Sequence, residues 1–231
     1  MTECAPSAPA PGLSARARLE RLRRTPVGHG AVLGLFSCVT ALLLATADDL
    51  TRAEIARRAV EDRDASLMQV IPPALHDNEP GAAIRRLDDS EEGAVAVHVA
   101  ALGETVTAVA FELVGDGYAG PIRVLIGLDA AGTVLGVRVL AHAETPGLGD
   151  KIEAAKSDWI EGFSGRALGD PALAGWRVRR DGGEFDQFAG ATITPRAVVG
   201  AVRRALTLFA RHRAALIAPP PPRPAVEGET G

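Results

Sequence analysis

The chain has 231 residues, which is enough for one medium-sized domain with short appendages. Its hydrophobic fraction of 47% supports a packed core, and its net charge of −4 gives no electrostatic basis for binding nucleic acid. Two cysteines, Cys4 and Cys38, cannot build a disulfide framework or a cysteine-based metal site.

The first predicted element is a transmembrane helix over residues 27–47. This run contains no Asp, Glu, Lys or Arg, and its length matches the roughly 20 residues that cross a bilayer as a helix. Arginines precede the run and an acidic pair follows it, so the positive-inside rule predicts a cytoplasmic tail over residues 1–26 and everything after Leu50 outside. The residues in question are Arg16, Arg18, Arg21, Arg23, Arg24, Asp48 and Asp49.

A cleaved signal peptide is the alternative for this N-terminal region, because Ala45-Thr46-Ala47 resembles a cleavage site. The apolar stretch is longer than a usual signal core, so we favour an uncleaved anchor. Residues 48–70 carry mixed charges and predict a juxtamembrane helix or linker that ends near Pro72 and Pro73. A globular domain is predicted over residues 71–217, followed by a disordered proline-rich tail over residues 218–231.

Within this domain, valine-rich segments of strand length are joined by short turns, a pattern that predicts an antiparallel sheet. The predicted strands cover residues 94–102, 105–114, 121–128 and 133–141, with breaks at residues 103–104, 115–117 and 129–132 and a further short strand at residues 176–180.

Two amphipathic helices are predicted after the sheet, so the fold class is α+β, an antiparallel sheet with packed helices preceded by one transmembrane helix. The first covers residues 151–163, with Asp150 and Glu153 as a capping box. The second covers residues 195–216, and Thr194 is predicted as its N-cap because Pro195 suits the first helical position. A hydroxyl there lies beside free N–H donors, where an esterified phosphate is stabilised.

The loop of residues 142–150, which reads H-A-E-T-P-G-L-G-D, links the last strand of the hairpins to the first of these helices. Its glycines permit close backbone approach, and Glu144 and Thr145 offer polar groups at its rim. His142 and Glu144 lack a third ligand at coherent spacing, so no metal site is predicted.

Residues 186–194 read D-Q-F-A-G-A-T-I-T and resemble the flavinylation motif of FMN-binding subunits, D-x-x-(S/T)-G-A-(S/T)-x-T. Ala189 departs from the motif, which has Ser or Thr there, but the acceptor threonine is intact. The same family is matched in order at residues 117–122, 142–151, 156–159 and 181–188. Together with the anchor, the matches resemble the G subunits of Rnf (Rsx) ion-translocating electron transport complexes, and they are similar in plan to the C subunits of sodium-pumping NADH:quinone oxidoreductases.

This resemblance implies a single-pass flavoprotein of the bacterial inner membrane, with its domain in the periplasm and FMN bound covalently to Thr194 through a phosphoester. It implies a redox relay without a catalytic centre of its own, in a complex that couples ferredoxin and NAD chemistry to ion translocation. The implied partners are the other subunits, the lipid bilayer and a flavin transferase. The implied FMN-binding residues besides Thr194 are Gly190, Ala191 and Thr192 at the phosphate end and Glu144, Thr145, Leu148 and Gly149 around the isoalloxazine ring.

Two other functions stay open from the sequence. One is a membrane-anchored flavin reductase that works alone, and the other is a non-catalytic assembly protein that carries no flavin.

Overall fold

The computed structural model of the chain describes residues 25–219. The predicted segment 1–26 therefore lies outside the described residues except for its last two positions, and so does most of the predicted tail 218–231. The described chain forms two units, one ending at Arg58 and one beginning at Ala59.

The N-terminal element is a long α-helix, α1, over Pro26–Val70. It is long and apolar enough to cross a membrane, and none of its most apolar stretch is buried within the structure. The predicted boundary between residues 47 and 48 is not a break in the helix. The helix ends before Pro72 and Pro73, because each proline lacks an N–H and the first disfavours helical conformation of its predecessor.

A five-stranded antiparallel sheet in the order β1-β2-β3-β4-β5 is the centre of the domain. The strands are β1 (Ile84–Asp89), β2 (Gly93–Leu102), β3 (Thr105–Asp116), β4 (Pro121–Asp129) and β5 (Val134–Ala141). The register places Phe111 between Val97 and Ile126, and Val137 follows Ile126 on β5. All four side chains are buried, so this row forms the centre of the main core.

Four of the five strands lie where the sequence predicts them, and so do the turns at Gly103 and Gly132, both of which have positive φ. The break predicted at residues 115–117 begins too early, since β3 continues to Asp116. Strand β1 was not predicted because its sequence, I-R-R-L-D-D, is mostly charged. It is the edge strand of the described sheet beside β2, and Arg86 and Asp88 face solvent there.

The two faces of the sheet are covered by different elements. A C-terminal helix, α2 (Ile193–Leu216), packs with the short helical segments of residues 150–181 on the main core. On the other face, Leu67 and Val70 pack against Leu125 and small alanines of β2 and β3. This approach is so close that a Cβ at Gly127 would overlap the Val70 carbonyl oxygen.

The predicted helix over residues 151–163 is wrong. The chain forms two short 3-10 segments, Asp150–Ile152 and Asp158–Phe163, because Glu153 and Ser157 have extended backbone. The Asp150 carboxylate accepts from the Gly147 N–H at 2.8 Å and does not form the predicted capping box. The apolar periodicity is real, since Ile152, Ile160 and Phe163 are buried, but 3-10 turns satisfy it as well as an α-helix does.

The predicted strand at residues 176–180 is also wrong. Trp176 and Val178 are buried, but the segment makes only an isolated bridge between Val178 and Phe185 and runs into a 3-10 turn at Arg179–Asp181. Gly183 folds back against the Arg177 carbonyl so closely that a Cβ would overlap it. These two buried apolar residues anchor a compact loop. Their alternation with polar residues reflects this burial and not a strand.

Candidate functional site

The N-terminus of α2 begins earlier than the sequence predicts. The N-cap is Thr192, which has helical φ and ψ and makes no side-chain cap, and the helix starts at Ile193. Thr194 is therefore inside the first turn, and the prediction that it caps the helix is wrong. Pro195 is tolerated as the third helical residue because the first N–H groups of a helix have no intrahelical partner. The Thr194 side chain turns inward, and none of its surface is exposed.

A pocket of about 270 Å³ lies against this helix start. Two segments far apart in sequence form its walls, the loop after β5 and the turn that leads into α2. It is lined by Tyr118, Glu144, Thr145, Leu148, Gly149, Gly190, Ala191, Thr192, Ile193 and Thr194. All eight residues that the sequence analysis assigns to FMN therefore lie around one pocket.

Glu144 is more deeply placed than the sequence indicates. It was expected at the rim of the loop, but only 5% of its surface is exposed, whereas Thr145 is exposed. Its Oε1 accepts from the Ala119 N–H at 3.0 Å, and its Oε2 accepts from the Thr194 hydroxyl. A buried carboxylate is costly unless it is hydrogen-bonded, and these two bonds compensate part of that cost.

Two glycines leave the space that Glu144 occupies. A Cβ at Gly117 would lie 2.5 Å from Glu144 Oε1, and a Cβ at Gly149 would lie 2.9 Å from Glu144 Cβ and 3.0 Å from Thr194 Oγ1. Gly149 has ordinary negative φ, so its role is to provide space. Gly147 and Gly190 instead have positive φ, which suits glycine because it lacks a Cβ.

A polar network holds the loop from behind. The Glu144 N–H donates to His142 Nδ1 at 3.1 Å, and His142 Nε2 lies 2.9 Å from Glu153 Oε1. Lys156 Nζ contacts Asp150 at 2.9 Å and Glu153 at 3.0 Å. Both ring nitrogens of His142 are thus engaged, and Lys156 joins Asp150 at the end of the loop to Glu153.

Charge in this network is stabilised by its own contacts. The hydrogen bond from Lys156, followed by that from the Gly147 N–H, lowers the pKa of Asp150. Lys156 and then His142 lower the pKa of Glu153, and these carboxylates in turn raise the pKa of Lys156. The two carboxylates and the ammonium therefore stay charged at neutral pH and hold the loop in place.

The turn that leads into α2 is fixed by an aromatic contact. Trp159 Nε1 donates to the Asp186 carbonyl at 2.9 Å, and its ring lies edge-on to Phe188 at 5.1 Å between centroids. The Ala191 N–H donates to the Phe188 carbonyl at 3.1 Å and closes the turn around Gly190. Trp159 belongs to one of the segments that resemble the FMN-binding family, and its contacts hold residues 186–194 in place.

Tyr118 was missed as a site residue. It lies in the connection between β3 and β4, and 73% of its surface is exposed although it lines the pocket. The signal was present, since residues 117–122 were among the segments that resemble the FMN-binding family. Only the backbone fold, which brings that connection beside the loop after β5, reveals the contact.

Relatives of this chain are found by sequence and by structure. The FMN-binding domain family matches residues 117–207. The chain is similar in structure to Shewanella oneidensis NqrC, whose crystal structure is known. The match covers 64% of this chain and 72% of NqrC, with 21% identity and a TM-score of 0.44. The G subunit of the ion-translocating oxidoreductase complex of Pseudomonas aeruginosa is 47% identical over 206 residues, which cover 85% of this chain and 94% of that protein.

The corresponding G subunit of Cereibacter sphaeroides is 65% identical over 201 residues, which cover 87% of this chain and 92% of that protein. This identity extends over nearly the whole length of both proteins. The chain belongs to the family of G subunits of ion-translocating oxidoreductase complexes, and it contains that family's FMN-binding domain.

Proposed function

We propose that this chain is a membrane-anchored redox relay that carries FMN through a phosphoester on Thr194. The observation that carries the proposal is the pocket in which the Thr194 hydroxyl, the start of α2 and the loop of residues 144–149 meet. When bound, FMN accepts and donates electrons one or two at a time, and the protein supplies attachment, orientation and electrostatic environment.

The residues of the pocket fit the two ends of FMN. At the phosphate end, the first N–H groups of α2 lack intrahelical partners and the helix dipole favours negative charge. Gly190 lets the chain turn close to this end, and a Cβ there would meet Leu148 at 3.7 Å. At the ring end, Leu148 and Tyr118 offer exposed apolar surface, and Thr145 offers an exposed hydroxyl.

The partners follow from family membership. The relatives are named as subunits of an ion-translocating oxidoreductase complex, so we propose that this chain assembles with the other subunits of such a complex and relays electrons within it. The resemblance of its motifs to Rnf complexes adds ferredoxin and NAD as the redox partners, and the motif at residues 186–194 adds a flavin transferase that attaches FMN.

The membrane arrangement is part of the same proposal. Residues 27–47 cross the inner membrane, residues 1–26 stay in the cytoplasm, and the domain of residues 71–217 lies in the periplasm behind the linker of residues 48–70. Helix α1 is long and apolar enough for this role, and the arginine-rich flank supports the orientation.

The test of the proposal is covalent flavin on Thr194. The full chain, co-produced with a flavin transferase in a host that exports proteins, should gain the mass of one FMN less one water. Thr194→Ala should lose in-gel flavin fluorescence completely, whereas Thr194→Ser should retain part of it because the attacking oxygen remains. Thr207→Ala is the matched control and should stay flavinylated, since Thr207 lies on α2 outside the pocket and donates to the Arg203 carbonyl.

Other outcomes identify the alternative functions. Covalent flavin on Thr194→Ala would refute the assignment of the acceptor and point to Thr192. A wild-type chain that assembles with hydrophobic subunits but never acquires flavin would be an assembly protein. A flavinylated chain that purifies without any other subunit and reduces acceptors alone would be a stand-alone flavin reductase.

A further inference from the structure

The contact between Glu144 and Thr194 joins residues that are 50 positions apart in the sequence. Thr194 donates its hydroxyl hydrogen to Glu144 Oε2, while Glu144 Oε1 is held by the Ala119 N–H at 3.0 Å. Glu144 is 5% exposed and Thr194 is fully buried. The carboxylate is therefore held on one side by the backbone and directed at the hydroxyl on the other.

The surroundings of this carboxylate keep it in place. Side chains at Gly117 or Gly149 would displace it, and its own N–H is bonded to His142. Such support from several segments is more than helix stability requires, since Thr192 and not Thr194 is the N-cap of α2. A buried carboxylate that is fixed against a hydroxyl is the arrangement that activates a hydroxyl nucleophile.

We propose that Glu144 accepts the proton of the Thr194 hydroxyl when FMN is attached, an inference that rests on the proposed function. The donor class is flavin adenine dinucleotide, presented by the flavin transferase. Thr194 Oγ1 forms a bond to the phosphorus of the FMN portion, and the bond from that phosphorus to the bridging oxygen of AMP breaks. AMP leaves with the electron pair of that bond, and the proton of Thr194 passes to Glu144 Oε2.

Charge favours this destination of the proton. The product on Thr194 is a phosphodiester with one negative charge, and an ionised Glu144 would lie beside it. The two negative charges would be neighbours, because Glu144 Oε2 is the hydrogen-bond partner of the Thr194 oxygen. Neighbouring like charges repel each other, so a protonated Glu144 relieves the repulsion. The same proton replaces the hydrogen-bond donor that Oε2 loses when the threonine hydroxyl becomes an ester.

The other titratable and charged groups around Glu144 are differently occupied. Tyr118 lines the pocket and is mostly exposed, and His142 accepts from the Glu144 N–H through Nδ1. Arg196, two residues after Thr194 on α2, is paired with Asp181 at 2.6 Å. The carboxylate of Glu144 is the group in contact with the reacting oxygen.

The experiment measures attachment rather than electron transfer. The full chain, purified in detergent without flavin, is mixed with a purified flavin transferase, Mg²⁺ and flavin adenine dinucleotide, and covalent flavin is followed by in-gel fluorescence and intact mass. Glu144→Gln keeps the size of the side chain but removes the base. Glu112→Gln is the matched control, since Glu112 lies on β3 and pairs with Arg123 outside the pocket.

Loss of a general base should lower kcat of attachment by about 10²–10⁴-fold in Glu144→Gln. KM for the chain should stay unchanged, and Glu112→Gln should match the wild type. If Glu144→Gln does not fold, Glu144→Asp decides, with slower attachment than in the wild type expected because the shorter carboxylate lies further from the Thr194 hydroxyl.

Several results would overturn the role of Glu144. If a folded Glu144→Gln chain is flavinylated as fast as wild type, Glu144 is not the general base. If it is flavinylated faster than wild type, the carboxylate only covers the hydroxyl. A wild-type rate in Glu144→Asp has the same meaning. In these cases Thr194 still acquires flavin, and the proposed function stands. A wild-type chain that acquires none, or a Thr194→Ala chain that does, refutes both.

Discussion

Gly149 lies against two residues that its sequence context does not indicate. A glycine in a G-L-G loop next to a cofactor site is expected for one of two reasons. Either the backbone approaches the ring closely, or the residue has positive φ. The structure gives Gly149 negative φ and places Glu144 and Thr194 against it. The first neighbours of a Gly149 side chain are thus Glu144 and the Thr194 hydroxyl.

We therefore expect Gly149→Val to slow covalent attachment of flavin, because the added methyl groups must separate Glu144 from Thr194. Overpacking at this buried position should also lower the free energy of unfolding by about 1–3 kcal/mol. Flavin incorporation and thermal unfolding of the same preparation measure the two effects. Gly162→Val is the control, since a Cβ there has no neighbour within 4 Å. Unchanged incorporation in a folded Gly149→Val chain would contradict the role assigned to this glycine.

At the level of single residues, the pocket was largely predictable and its internal contacts were not. The eight FMN-binding assignments follow from two motifs, and both motifs line the same pocket. The hydrogen bond from Thr194 to Glu144 joins those motifs, and nothing in either one specifies it. Tyr118 belongs to a third segment, whose proximity depends on the register of β3 and β4.

At the level of elements, prediction succeeded where local pattern and tertiary structure agree. Valine-rich alternation identified β2 to β5, because these strands have buried faces and short turns. It failed for residues 151–163, where apolar spacing fits both an α-helix and the observed 3-10 segments. It also failed for β1, where Arg85 and Asp89 contact α2 and Arg86 and Asp88 are exposed.

Asp89 is the clearest case of that pairing between β1 and α2. Its carboxylate lies 2.8 Å from His212 Nε2 and 2.7 Å from Arg211 Nη1, and it also accepts the N–H groups of Glu91 and Glu92. The hydrogen bond with His212 and then those from the backbone and Arg211 hold the pKa of Asp89 far below its usual range. This carboxylate therefore ties the end of an edge strand to the last turns of a helix.

A depressed pKa in the folded state stabilises the fold at pH values above the unfolded pKa of about 3.9. The stabilisation is lost as pH falls from there through the folded pKa. We expect thermal unfolding of Asp89→Asn to occur at lower temperature than wild type at neutral pH, with the difference shrinking below about pH 4. Asp88→Asn changes the neighbouring exposed aspartate and should follow the wild-type curve. A constant difference between Asp89→Asn and wild type from pH 7 to pH 3 would contradict this linkage.

At the level of the whole molecule, composition separates two tasks along one chain. The apolar part of α1 has its large side chains exposed, as in Leu33, Phe36 and Leu43, whereas the unit from Ala59 onward buries its apolar residues in two cores. A helix with apolar residues all around it suits lipid, and a domain with buried cores suits water. The predicted division into residues 27–47, 48–70 and 71–217 stays a prediction, and α1 runs unbroken to Val70.

The last prediction concerns the orientation of the anchor. Because the arginines before residue 27 favour the cytoplasm, alkaline phosphatase fused after Ala218 should be active, and a reporter that works only in the cytoplasm should be silent at the same position. Replacing Arg16, Arg18, Arg21, Arg23 and Arg24 by glutamate should weaken or invert this pattern, while the same number of substitutions among arginines of the domain should not.

An epitope placed before Met1 should remain on the full-length chain, because an uncleaved anchor keeps its N-terminus. Loss of that epitope from the mature protein would indicate a cleaved signal peptide, and cytoplasmic activity of the fused reporter would refute the orientation and, with it, the periplasmic location of the flavin.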